Sequence, residues 1–176
     1  DGKTAVMEMA EAAGITLVDR CQLNPWKATT YGVGEMILDG IHRGCREFIM
    51  GIGGSATSDG GVGMLKALGY QFYNQAGNPI ETGLGELDQI AEIREEDVEP
   101  LLQECHFQIA CDVKNPLCGE NGAVYIFGPQ KGVKEEEKEI LDQKMVVYAD
   151  KTAEFTGKDR RKEEGAGAAG GLGFAF

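Results

Sequence analysis

The stretch Ile49-Met-Gly-Ile-Gly-Gly-Ser-Ala-Thr-Ser-Asp-Gly-Gly-Val-Gly63 joins an apolar run (Phe48, Ile49, Met50) to an amphipathic run (Met64, Leu65, Ala67, Leu68) through glycines and hydroxyl residues. A strand that passes through small residues into a helix builds an anion site. Glycines let main-chain N–H groups approach a ligand, and the helix N-terminus adds partial positive charge. A phosphate or carboxylate is expected there. The stretch is not a P-loop, because Gly-x-x-x-x-Gly-Lys-Ser/Thr does not occur. The Gly-x-Gly-x-x-Gly at Gly165 to Gly170 follows the charged run Lys158 to Glu164 instead of an apolar strand, so its dinucleotide-binding context is missing. The plainer reading of Gly53 to Gly63 is a tight turn whose Ser and Asp side chains only cap the helix.

Outward from this loop the pattern alternates. Thr4 to Met9, Glu47 to Met50, Tyr70 to Tyr73, Ile90 to Ile93 and Cys105 to Cys111 read as strands, and Asn74 to Pro79 as a turn. Gly32 to His42 and Ser58 to Leu68, with Asp59 in its first turn, read as helices, and Val98 to Leu102 as a short helical piece. In the segment Glu135 to Phe155, Leu141, Met145, Tyr148, Thr152 and Phe155 recur at helical spacing and draw one apolar stripe. Its acidic start suits the helix dipole, Gly157 ends it, and Lys158 to Glu164 follows as a mobile surface loop. The alternation predicts an α/β layered domain with a mixed β-sheet flanked by helices, and no internal repeat is evident.

At 176 residues the chain suits one domain. It carries 26 glycines, about twice the usual share and without a collagen-like period, which signals many tight turns. The formal net charge is −12, so the general electrostatic attraction that nucleic acid or an anionic membrane requires is absent. Cys21, Cys45, Cys105, Cys111 and Cys118 form no Cys-x-x-Cys pair, and His42 and His106 have no metal-ligand spacing. This fits reduced thiols in a cytoplasmic protein.

Three constellations carry chemistry. In Ile109-Ala-Cys-Asp-Val-Lys-Asn-Pro116 an apolar strand ends at Asp112 and Asn115, where open α/β sheets hold ligands, although an Asx-turn would use the same residues. In Gly128-Pro-Gln-Lys-Gly132 a lysine, Lys131, is held between glycines and can be aimed at an anion. In Lys27-Ala-Thr-Thr-Tyr-Gly-Val-Gly34 at least one of Thr29 and Thr30 caps a helix, leaving the other for an oxyanion. Glu8, on the first strand, is a further candidate, with an outward, solvated carboxylate as the competing reading.

Gly51-Ile-Gly-Gly-Ser-Ala-Thr-Ser-Asp-Gly-Gly61 resembles the signature of the type I glycerate kinases, which usually carry Asn at the place of Ser58. Further blocks agree in the same order: Glu8 to Gly14, Asn24-Pro25 with Ala28 to Gly32, Ala110 to Leu117, Phe127 to Gly132 and Gly165 to Gly173. The resemblance implies transfer of the ATP γ-phosphoryl group to a hydroxyl of D-glycerate, with Mg²⁺ offsetting phosphate charge. It implies catalytic roles for Asp112, also a possible Mg²⁺ ligand, and for Lys131. Substrate or phosphate contacts would fall to Gly53, Gly54, Ser55, Thr57, Asp59, Thr29, Thr30, Asn115 and Glu8. Such proteins also carry an amino-terminal Ser-Phe-Lys-Gly block and a carboxy-terminal Gly-Glu-Gly block, neither of which is present here. Residues 1–176 are therefore expected to form a single inserted domain of a two-domain kinase, inactive without its flanking domain. The competing class is a non-catalytic module that holds a phosphorylated metabolite.

Overall fold

The computed structural model describes residues 3–176. The chain runs through β1 (Lys3–Glu8), the single turn α1 (Ala10–Ala13), α2 (Tyr31–His42), β2 (Cys45–Gly51), α3 (Val62–Ala67), β3 (Gln71–Tyr73), β4 (Glu92–Arg94), β5 (His106–Ala110), α4 (Lys138–Thr156) and α5 (Leu172–Ala175). Strands β1, β2 and β5 form a parallel sheet in the order β1-β2-β5, with Val6, Ile49 and Gln108 in register. β3 and β4 pair antiparallel in a second, two-stranded sheet. Both kinds of pairing expected of a mixed sheet occur, but in separate sheets. The reason is where the apolar residues go: Phe72 and Ile90 bury against α4 instead of extending the first sheet.

Alternation along β2 decides which face of the parallel sheet is inside. Phe48 and Met50 point inward and are 1% and 0% exposed, while Ile49 between them faces out. Helix α2 covers the inner face with Val33, Ile37 and Ile41, and together with Met9, Ile52, Met64, Leu68 and Leu172 these make one core. Phe48 stacks on Phe107 across the sheet with ring centroids 4.9 Å apart. A second core surrounds α4: Leu141, Met145 and Tyr148 meet Val62, Leu84, Leu87, Leu117 and Val124. Helix α3 sits between the two, giving Val62 to one core and Met64 to the other. The glycine loop lies at this junction.

Local differences from the sequence reading have local causes. Helix α3 starts at Val62, not Ser58, because Gly60 and Gly61 both take positive φ (64° and 78°), which a right-handed helix cannot contain. Asp59 therefore precedes the helix. The strand expected from Ile90 begins at Glu92, since Ile90 closes a 3₁₀ turn (Leu84–Gln89). The piece expected over Val98 to Leu102 is a 3₁₀ turn at Pro100–Glu104, capped by the Glu99 carboxylate. The long helix opens with a 3₁₀ turn and ends at Gly157 with φ 72° as expected, but its stripe fades toward Phe155, which is 39% exposed. The run Lys158 to Glu164 lies at the surface, tied down where the Leu117 amide donates to the Arg161 carbonyl. Among the described residues no helix is long and apolar enough to cross a membrane.

Candidate functional site

Strands β2 and β5 are parallel neighbours, so the segments following them emerge side by side at the carboxyl edge of the sheet. After β2 the chain gives Ile52, Gly53, Gly54 and Ser55; after β5 it gives Cys111, Asp112 and Val113. These two segments, the Gln130–Lys131 turn and Ala168–Ala169 line one cleft of about 200 Å³. Within the described chain the amides of Gly53, Gly54 and Ser55 have no hydrogen-bond partner, while the Gly54 carbonyl accepts from Ile15 N. The turn is thus anchored by its oxygen and leaves three amides without a partner beside the cleft.

Lys131 forms the floor. It ends a 3₁₀ turn, Pro129–Lys131, and is only 1% exposed, although a loop lysine would ordinarily lie at the surface. Its ammonium donates to Ser55 Oγ at 2.9 Å and to the Thr57 carbonyl at 2.5 Å. An ammonium has three protons, and these bonds engage two. Burial pulls the Lys131 pKa from 10.5 down to about 7, and the Asp59 carboxylate opposes that fall.

Behind the cleft, residues Ser55 to Gly61 are buried. Asp59 is fully enclosed and receives four donors: Thr30 N at 2.8 Å and Thr30 Oγ1 at 2.9 Å, Gly63 N at 3.1 Å and Gly61 N at 3.2 Å. Burial holds its carboxyl above the usual carboxylate range, and the four donors offset that only in part; the geometry, in which both oxygens only accept, is that of the ionised form. Thr30 Oγ1 in turn accepts from Met64 N at 2.9 Å. The first free amides of α3 are therefore consumed inside the protein. Gly63 is obligatory here, because a Cβ would come within 2.8 Å of Asp59 Oδ2 and 2.7 Å of Tyr31 N.

This arrangement corrects several expectations. The unpartnered amides beside the cleft come from the turn before the loop, Gly53 to Ser55, and not from the start of α3, whose amides are capped by Asp59 and Thr30. Asp59 and Thr30 are internal fasteners that do not line the cleft. Thr57 holds Lys131 through its carbonyl and lies 2% exposed. Thr29 accepts from Tyr31 N as a local turn, whereas Thr30, at the cap position of α2, makes no cap bond there and caps α3. Asn115 is used structurally: its side-chain amide donates to the Asn121 carbonyl at 2.8 Å and its main-chain carbonyl accepts from Gly167 N. Glu8 is exposed on the outer face of the sheet, over Gly51, and does not line the cleft. Ser58, at the place where the resembling proteins usually carry Asn, is buried with no partner for its hydroxyl.

The cleft thus brings together Gly53, Gly54, Ser55, Asp112 and Lys131. Asp112 is exposed and is the one carboxylate on its lining. Among the described residues no group of three or more metal-ligating side chains converges. Sequence reasoning missed Ala168 and Ala169 as lining residues. Ala169 takes φ 51° and ψ 37°, a left-handed conformation that an alanine adopts at a cost of about 1–2 kcal/mol. The run Gly165 to Gly173 was the available signal.

The glycerate kinase family profile matches residues 1–176. The chain is 50% identical to a glycerate kinase of Haemophilus influenzae over 173 residues, covering 98% of this chain and 46% of that protein. It is 45% identical to the glycerate 2-kinase of Escherichia coli over 176 residues, again 46% of the relative's length. A crystal structure described as a putative glycerate kinase 2 from Salmonella typhimurium superposes with a TM-score of 0.95 at 43% identity, covering 98% of this chain and 46% of that one. The chain spans about half the length of these relatives. By its profile, its ordered sequence blocks and its backbone, it belongs to the glycerate kinase family.

Proposed function

We propose that the intact protein transfers the γ-phosphoryl group of ATP to a hydroxyl of D-glycerate, in a cytoplasmic setting, and that the cleft between the β2 and β5 exits receives the reacting groups. The observation that carries this reading is the Lys131 ammonium, buried beneath three unpartnered amides and facing a cleft whose rim bears Asp112. Phosphoryl transfer spreads charge over three equatorial oxygens and needs positioned donors more than covalent chemistry. Gly53, Gly54 and Ser55 amides and the third Lys131 proton are such donors. Asp112 suits the opposite need, accepting the proton of the attacking hydroxyl.

Mg²⁺ fits the cleft as a partner of the nucleotide: it is held through one or two carboxylates with phosphate oxygens and water completing the shell, and Asp112 supplies one such ligand. Bound there, the ion would neutralise phosphate charge. The two roles of Asp112 separate in one experiment on the intact protein. With D-glycerate and ATP, coupled ADP release in Asp112→Asn is expected to fall at least about a hundredfold. Recovery at raised Mg²⁺ assigns the ligand role, and no recovery assigns the base. Near-normal kcat at ordinary Mg²⁺ would remove Asp112 from the chemistry.

A further inference from the structure

Asp59 touches nothing in the cleft, yet it is the most heavily bonded carboxylate in the described chain. It is 0% exposed, and its four donors come from the start of α2 and from the residues leading into and opening α3. Two residues before it on the same buried loop, the Thr57 carbonyl accepts from Lys131 Nζ. Lys131, 1% exposed, has no carboxylate within ion-pair distance among the described residues. Two opposite charges are thus enclosed in one wall of the cleft, joined through the loop between them. A buried cation without a nearby counter-charge sheds its proton.

We infer that Asp59 is a positioning residue that acts through Lys131: its enclosed carboxylate supplies the negative charge that keeps the Lys131 ammonium protonated beneath the cleft, while its hydrogen bonds to Thr30, Gly61 and Gly63 fix the loop that carries Ser55 and Thr57. The other titratable groups around Lys131 do not perform this task. Asp112 and Cys111 line the same cleft but are exposed, where water screens them. Tyr148, reaching in from α4, donates its hydroxyl to the Gly60 carbonyl, and burial raises its pKa, so it stays neutral. Gln130 and Ala168 carry no charge. The charge state of Lys131 matters for catalysis only under the phosphoryl-transfer reading, on which this inference rests for its consequence and not for its test.

The direct measurement is the pH titration of the Lys131 Nζ resonance in the intact, ¹⁵N-lysine-labelled protein, assigned with Lys131→Met. The wild-type midpoint is expected near 7. In Asp59→Asn it should fall by about one pH unit or more, the scale of losing a unit charge enclosed in the same wall of the cleft. Thr30→Val removes a bond to Asp59 but keeps its charge; stability should drop while the Lys131 midpoint stays in place. An unshifted midpoint in folded Asp59→Asn overturns the inference, and so does an equal shift in Thr30→Val. Unfolding measurements on Asp59→Asn and on Asp59→Asn/Lys131→Met give a second decision. Because Lys131→Met relieves a buried charge even with Asp59 in place, the coupling is read as an excess at slightly acidic pH: Lys131→Met should stabilise more in the Asp59→Asn background than in the wild type, and an equal gain in both overturns the coupling. If the midpoint shifts as expected while Lys131→Met retains full kinase activity, the charge relation stands and the catalytic reading fails.

Discussion

Lys131→Met should make the protein more stable at slightly acidic pH while abolishing its activity, and the magnitude follows from the burial of the ammonium. The unfolded lysine titrates near 10.5 and the folded one near 7. Below pH 7 both states hold the proton, so stability does not depend on pH through this group. Between 7 and 10.5 the unfolded chain holds a proton that the folded chain has released, and stability rises by about 1.4 kcal/mol per pH unit. Above 10.5 the dependence ends. Over the window the total is about 5 kcal/mol, and it is the cost of the enclosed charge that is relieved. Methionine fills a similar volume without the charge. Both acceptors keep another partner, since Ser55 Oγ still donates to the Thr57 carbonyl and accepts from Thr57 N, so the lost bonds cost only about 1–2 kcal/mol. The variant is therefore expected to be about 3–4 kcal/mol more stable than wild type near pH 6, and to lose that advantage by pH 10. Urea midpoints of both proteins at matched pH values test this, because their difference removes every titrating group that does not face Lys131. Parallel curves from pH 6 to 10 would show that Lys131 is not held in a dry environment, and the argument would fail with them.

Other perturbations have equally definite outcomes. Ser58→Ala removes a buried hydroxyl that has no partner and should leave stability unchanged or raise it by about 1 kcal/mol, read as an unfolding midpoint. Gly54→Val places a side chain on a residue at φ 69° beside the free amides, with only Ala10 Cβ near the new Cβ; the space is open but the left-handed backbone costs a branched residue about 1–2 kcal/mol, so the unfolding midpoint should fall while the transition stays cooperative and KM for the substrates rises severalfold, and unchanged KM for both would exclude the anion site. Leu141→Ala opens a cavity at a fully buried position of α4 and should cost about 2–5 kcal/mol. The isolated 176-residue stretch, with two cores of its own, should fold cooperatively yet release no ADP with D-glycerate, because its cleft offers one cation and one carboxylate; turnover comparable to the intact protein would show the site to be self-contained.

Much of the scaffold was legible because periodicity survives packing. The β2 run and the α2 and α4 stripes bury the residues that alternation and helical spacing select, and the strand ends place Asp112 and the glycine turn on the same edge. What failed was anything that depends on a partner distant in sequence. Asp59 reads as a helix cap or an anion contact from its neighbours alone, and only the approach of Thr30, 29 residues earlier, makes it an internal fastener. Lys131 reads as a loop cation, and its burial depends on Ser55 and Thr57, which arrive from more than seventy residues away. Glu8 and Asn115 sit in blocks that match the family and still face away from the cleft, so a matching block locates a neighbourhood and not the direction of each side chain.

The loop therefore divides its donors in two, and the division explains how it works. Unpartnered amides inside a protein cost about 1–3 kcal/mol each, and four of the buried half are committed: Ala56 N to the Ala13 carbonyl, Thr57 N to Ser55 Oγ, Gly60 N to the Gly170 carbonyl, Gly61 N to Asp59. Gly53, Gly54 and Ser55 keep theirs free beside the cleft, where water can bond them. The committed half holds the free half in place from several directions, through α1, Thr30, Lys131 and the left-handed turn at Ala169 to Gly171. Its geometry is then fixed before any anion binds, and donors that need not be ordered during the reaction stabilise developing charge most effectively. The acidity of the chain is compatible with the proposed anion site, because attraction there would come at short range from fixed dipoles and one enclosed cation, while surface carboxylates more than about 8–10 Å away in water are largely screened.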